Sequence, residues 1–411
     1  MDKRFNLSPD GRHPITVLDK VSLVRLPLGE HVQLPTIKKR QRVAGGTLLA
    51  QHSSPNVGDM HAPFDGVIKD VTATFIEVEY EALPEPQPPA TAEPAEGEAP
   101  KAAKAPEKPV EPVSPVSFAG LDAIALGQTL KTLGISIRPF TRPCDLFIIN
   151  CINPEPGMLY TQELLASYLP VVEAGLAMIQ RLNSAPRFVL ALPSGSNVTL
   201  EGASAYHVPA VYPISLARPL IRAITGNEDT SRVTLVRLHA VFQLGLVAMT
   251  GLPLTHTVTT AFGQNFYLPL GTPVSTLLEI TGNTPDPGDS VILGGPMRGV
   301  AISGLRRGVR KEDDAMAIVK QGSMPDLEDN PCINCGACVA VCPMRLRPNM
   351  LSRYAEFHQY EACRKEFIET CIECGMCGYV CPCCRPMQQH FRMAKNHLGL
   401  HTFQHVLRQS R

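Results

Sequence analysis

Apolar and polar positions divide the chain into stretches of different period. Up to about residue 80 apolar side chains alternate with polar ones in short runs, as in "VAGGTLLAQH" and "HAPFDGVIKDVTATFIEVEY", which turn around Gly45, Gly46 and Gly66. A period of two with glycine punctuation predicts short, half-buried strands, so residues 1–80 are expected to form a β barrel-sandwich domain. Residues 81–117 are rich in Pro, Ala, Glu and Lys and hold no aromatic side chain. Such a segment buries too little apolar surface to offset its ordering entropy, and it reads as an extended tether. Between 118 and 247 the continuous apolar runs "DLFIIN" and "RFVLALP" have strand length, and "LLASYLPVVEAGLAMIQRL" between them has helical spacing. That alternation predicts an α/β domain with a largely parallel sheet. Residues 248–324 turn β-rich again, and 325–411 carry most cysteines on helical connections. The expectation is an α/β multidomain chain.

Composition narrows the function. The chain has 38 basic and 38 acidic residues, which offers no global field for nucleic acid. The most apolar run, "AVFQLGLVAMTGLPL" from Ala240, is shorter than the roughly 18 apolar residues a membrane span needs, so no transmembrane span is expected. The amino terminus lacks the apolar core of a secretory signal. Thirteen cysteines, eleven of them after residue 330, then point to metal or redox chemistry in a reducing compartment rather than to disulfides.

Those cysteines fall into two strings of one form, C-x2-C-x2-C-x3-C-P: "CINCGACVAVCP" from Cys332 and "CIECGMCGYVCP" from Cys371. Zinc sites use pairs of C-x2-C and need neither the third cysteine nor the C-P ending, and no C-x-x-C is followed by the His of covalent haem. The spacing is that of 4Fe-4S clusters, in which the fourth cysteine of each string ligates the other cluster. Cys332, Cys335, Cys338 and Cys381 are therefore expected on one cluster, and Cys371, Cys374, Cys377 and Cys342 on the second. Cys363, Cys383 and Cys384 are surplus to this set and read as buried thiols or neighbours of the clusters, with Cys144 and Cys151 as core residues.

With these strings, "GLPL" at 251–254, "LPLGTPVSTLLE" at 268–279 and "GGPM" at 294–297, the chain resembles the RnfC family, the C subunits of the Rnf electron transport complex, an ion-pumping membrane assembly. The resemblance implies a complex-I-flavin-subunit-like domain at 118–247, a β-grasp-like, soluble-ligand-binding-like domain at 248–324 and a two-cluster ferredoxin-like domain at 325–411. It also implies a peripheral place on the cytoplasmic side of the inner membrane, with membrane-embedded and iron–sulfur or flavin subunits as partners. Its flavin and nucleotide motifs are degraded here. Where the family has a glycine-rich phosphate loop, the chain reads "GLDAIALGQTLKTLG" from Gly120, and "YPISLAR" from Tyr212 lacks the glycine and the acid of its counterpart. A Cβ at such positions blocks close backbone approach to a phosphate, which argues against bound FMN and NADH. Asn150 and Glu155 remain from the flavin segment and are expected to hold a turn.

The expected role is an electron relay fed by a protein donor, a cytochrome or ferredoxin. An NADH- and FMN-binding dehydrogenase subunit and a soluble iron–sulfur adaptor are the alternatives. "APFDGVI" resembles the closing segment of lipoyl-type carriers, but the turn before it holds no lysine to carry an arm. The cationic stretch from Arg385 to the end has four His and no acid, and reads as a solvated helix face or a docking surface.

Overall fold

Leu146–Asn150 is buried along its whole length because it runs through the middle of a parallel sheet. The computed structural model that shows this describes residues 6–8, 11–19, 21–82, 112–227, 229–323, 327 and 330–400. The sheet has the order Ser204–Val208, Arg187–Pro193, Leu146–Asn150, Val233–Arg237, each neighbour parallel. A helix covers one face where Leu169–Leu182 crosses Leu238–Thr250, and two glycines let the backbones meet. A Cβ on Gly175 would stand 2.2 Å from the Val241 carbonyl oxygen, and one on Gly245 would stand 1.9 Å from that of Val171. The helical run expected across 164–182 is two helices, Tyr160–Ser167 and Leu169–Leu182, because Pro170 in the first turn of the second lacks the N–H that would continue the first.

The amino-terminal region forms two antiparallel sheets. One has the order Leu23–Pro27, Phe75–Tyr80, Gly66–Val71, Arg42–Val43, and the other His31–Gln33, Leu48–His52, Met60–His61. Their inward positions, among them Val24, Leu49, Ile68 and Ile76, share one core. Ile15–Val17 leaves this unit and pairs in parallel with Gln264–Pro269, at the edge of a six-stranded sheet farther along the chain. Asn265 anchors it by donating from Nδ2 to the His13 carbonyl, 2.8 Å. The first residues thus cover a sheet edge of the third region, a long-range pairing that the alternation of 1–80 did not reveal.

Among the described residues from 330 to 400 there are only short helices and loops, packed on Leu351, Ala355, Cys363, Phe391 and Ala394. The fold is therefore a mixed α/β assembly of several sheets with a helical cysteine domain. Most of the tether, 83–111, and the tail, 401–411, lie outside the described residues. The cationic stretch differs in part from expectation where it is described. Arg385, His390 and Lys395 are buried, so these basic side chains face the domain interior, while Gln389, Met393, Asn396 and His397 keep an exposed helix face. Among the described residues no helix is long and apolar enough to cross a membrane.

Candidate metal centre

Both cysteine strings fold by the same local device. Asn334 and Glu373, each just before the second cysteine, take left-handed φ of 56° and 53°. Gly336 and Gly375, each just after it, take φ of 78° and 81° and open the short helices Ala337–Ala340 and Met376–Tyr379. A left-handed residue on each side of the second cysteine coils the chain so that cysteines three apart face one space.

The cysteines that act on one another's thiols fall into two sets of four. Burial first, and then the nearby sulfurs of Cys332, Cys381 and Cys335, pushes the Cys338 thiol up. Burial and the sulfurs of Cys371, Cys374 and Cys342 push Cys377 up more strongly. The same burial, with Cys371 and Cys342, pushes Cys374 up to about 12. Cys342, Cys371, Cys374 and Cys377 all line one partly open space, with Pro343, Leu351 and Phe391 among its walls. Among the described residues no three His, Cys, Asp or Glu side chains converge tightly enough to hold one metal ion.

The surroundings of the two groups differ. Cys335 is exposed and its neighbour Ile333 is 66% exposed, whereas Cys374 and Cys377 are buried. Cys374 and Met376 pack with Ile148, Ile152 and Tyr212 of the α/β region. The Tyr212 hydroxyl donates to the Cys374 carbonyl at 2.7 Å, and Gln388 Nε2 donates to the Met297 carbonyl at 3.0 Å. Tyr212, Gln388 and Glu373 were not among the residues expected at the site. The signal for Glu373 was present, because it stands where the first string has Asn334.

Asn150 and Glu155 hold backbone groups. Asn150 donates from Nδ2 to the Ser215 carbonyl at 2.8 Å and accepts from the Ile152 amide at 3.1 Å. Glu155 accepts from the Met297 and Arg298 amides at 2.9 and 3.1 Å, and so pins the Gly-Gly-Pro-Met loop as well as its own turn. Burial pushes its carboxyl up to about 7, against the pull of Arg298 and the two amides. In place of a glycine-rich cradle stands the helix Ala123–Thr132. Its first turn is capped by Asp122, which accepts from the Ala125 amide at 2.7 Å, and it buries Leu126 and Leu130. Cys363 is fully buried, its Sγ 3.6 Å from the Leu351 carbonyl, and burial pushes it up to about 11. Cys151 is buried likewise and pushed up to about 12. Cys144 is half-buried and Cys383 and Cys384 are partly exposed.

Comparison with known proteins agrees with this site. Residues 324–382 match the 4Fe-4S dicluster domain family. The chain is 27% identical to the C subunit of the ion-translocating oxidoreductase complex of Rhodobacter capsulatus, over 94% of its own length and 80% of the relative's. It is 23% identical to the C subunit of the proton-translocating ferredoxin:NAD(+) oxidoreductase complex of Clostridium ljungdahlii, over 86% and 83% of the two chains. An NAD+-reducing NiFe hydrogenase in its air-oxidized state superposes with a TM-score of 0.39 and 14% identity, across 69% of this chain and 56% of that one. Over nearly its whole length, then, the chain is a relative of the C subunits of Rnf-type ion-translocating oxidoreductase complexes, and it carries a 4Fe-4S dicluster domain.

Proposed function

We propose that the chain is the electron-transfer subunit of an Rnf-type complex, peripheral on the cytoplasmic face of the membrane, and that it relays electrons between a protein donor and its partner subunits. The observation that carries this reading is the pair of C-x2-C-x2-C-x3-C-P strings inside the match to the 4Fe-4S dicluster family, with Cys342 of the first string lining one space with Cys371, Cys374 and Cys377 of the second. Cys332, Cys335, Cys338 and Cys381 hold one cluster in this reading, and Cys371, Cys374, Cys377 and Cys342 hold the second. When bound, a 4Fe-4S cluster supplies one-electron exchange without moving a proton or breaking a bond. The residues do the rest. The thiolates fix the irons, the left-handed Gly336 and Gly375 bring backbone close to them, and Pro343, Leu351 and Phe391 keep water from the inner group. The exposed Cys335 and Ile333 make the first group the place where an outside protein reaches the relay.

In the same reading the α/β region at 118–247 is a flavin-subunit-like domain that has lost its nucleotide site. The region at 248–324 is β-grasp-like, and 1–80 is a barrel-sandwich. The Asp122 carboxylate occupies the amides at the start of Ala123–Thr132, where a phosphate would otherwise bind and would now meet a like charge. A protein donor, a cytochrome or ferredoxin, takes the place of NADH, and FMN has no cradle.

The test is anaerobic purification with iron and acid-labile sulfide analysis, expected at about eight of each per chain. Cys342→Ser is expected to damage the cluster of Cys371, Cys374 and Cys377 and to spare the other, as followed by EPR. Stoichiometric zinc without sulfide would overturn the reading. Rapid bleaching by NADH alone, or copurified FMN, would restore the dehydrogenase alternative.

A further inference from the structure

The repeat sets Asn334 and Glu373 at the same left-handed step of the two strings, yet their partners differ in charge. Asn334 is exposed and neutral, and its Oδ1 accepts from Asn349 Nδ2 at 2.8 Å. Glu373 is 2% exposed and lies between two cations of the last described helix, Met387–His397. Lys395 Nζ is 2.9 Å from one carboxylate oxygen and Arg392 Nε is 3.2 Å from the other. Lys395, itself 4% exposed, also donates to the Cys371 carbonyl at 2.6 Å. The charges of these three side chains sum to +1 against the loop of the inner sulfurs, and Arg298 acts on both Glu373 and Cys374 as a further cation. The buried cation near the first string, Arg385, is paired with Glu356 and sums to zero.

Reduction adds one negative charge to a cluster. Water solvates that charge at an exposed site, and at a buried one fixed protein charges have to do so, at close range and in a low dielectric. An inner cluster with no compensating cation would therefore resist reduction more than its exposed partner does. We propose that Lys395, held in place by Glu373, is a positioning residue that raises the reduction potential of the cluster bound by Cys371, Cys374, Cys377 and Cys342, and so keeps the buried half of the relay reducible from the exposed half. Each transfer moves one electron from one cluster to the other, with no proton or bond change. The inference rests on the two-cluster reading above.

The experiment is an EPR-monitored redox titration of the anaerobically purified full chain, after iron and labile sulfide have been measured. Lys395→Met is expected to lower the midpoint of the inner cluster and leave that of the outer one unchanged. Glu373→Gln removes the anion and leaves both cations, so it is expected to shift the same midpoint upward. Lys395→Arg is expected to keep it near the wild-type value. Opposite signs for the first two variants require an electrostatic role, since a loosened fold would move both in one direction. An unchanged inner midpoint in Lys395→Met, or a downward shift in Glu373→Gln, overturns the proposal. If Lys395→Met loses the cluster, the sign of the Glu373→Gln shift decides. A wild-type chain short of iron and sulfide would instead overturn the two-cluster reading itself.

Discussion

The loops from Cys332 and Cys371 turn left-handed at the same three steps: Asn334 and Glu373, Gly336 and Gly375, Arg345 and Cys384. Each opens a four-residue helix after its glycine. Beyond the backbone they diverge. The first loop presents Ile333 and Cys335 to solvent, and the second lies under Tyr212, Met297 and Gln388. Ligand geometry is thus set by local sequence and repeats with it, whereas the surroundings of each ligand group are set by distant segments and need not repeat. A relay benefits from that division, because one end has to meet a partner while the other is insulated within the body.

The glycines give the sharpest contrast. An alanine Cβ at 336 would meet no protein atom within 4 Å, so the polypeptide around Gly336→Ala imposes only the left-handed penalty, about 1 kcal/mol. At 375 the Cβ would stand 2.7 Å from the Met297 carbonyl oxygen and 2.8 Å from Gln388 Nε2. Met297 has little room to retreat, because Glu155 holds its amide. Gly375→Ala is expected to lose about 4 kcal/mol, by adding a backbone clash to the same penalty. Urea midpoints followed by cluster absorbance under anaerobic conditions measure both variants. Equal losses would mean that the two loops are held alike.

Much of this was legible in the sequence and some was not, for reasons particular residues make plain. Apolar runs marked Leu146–Asn150 and Arg187–Pro193 because both faces of a central parallel strand are buried, which leaves an unbroken signal. The cysteine spacing marked the ligand groups because a cluster loop is local. Tyr212 was visible only as part of a degraded motif, since its partner Cys374 is 162 residues away and no period encodes such a contact. Lys395 sat in a cationic stretch that suggested solvent, and its burial depends on Glu373, 22 residues earlier. Ile15–Val17 read as part of the first domain because strand alternation does not name a partner.

A second prediction concerns the inner side alone. Burial holds the Glu155 carboxyl near 7, above its usual 4.5, so the folded chain binds more protons than the unfolded chain between those values. Stability contributed by the neutral acid is therefore full below about pH 4.5 and is lost as pH rises through 7. At about 1.4 kcal/mol per pKa unit the loss is on the order of 3 kcal/mol. Glu155→Gln carries no charge at any pH, so its stability relative to the wild type is expected to improve across this window. A pH-independent difference would show that Arg298 and the two amides already outweigh the burial.

The smallest expected effect isolates one bond between the α/β region and the inner loop. The Tyr212 hydroxyl donates to the Cys374 carbonyl at 2.7 Å, and Tyr212 is 2% exposed. Tyr212→Phe keeps the ring and its packing against Ile148 and Ile152 but removes the donor. A buried carbonyl that loses its partner costs about 1–2 kcal/mol. The outer loop offers the control: Ile333→Ala trims a side chain that is 66% exposed and is expected to change stability by no more than about 0.5 kcal/mol. Rates of iron release to a chelator extend the comparison to the ligand groups. Tyr212→Phe is expected to speed loss of the inner cluster toward that of the outer one, since the hydroxyl ties the Cys374 backbone to the body. An unchanged release rate would mean that apolar packing alone holds the inner loop in place.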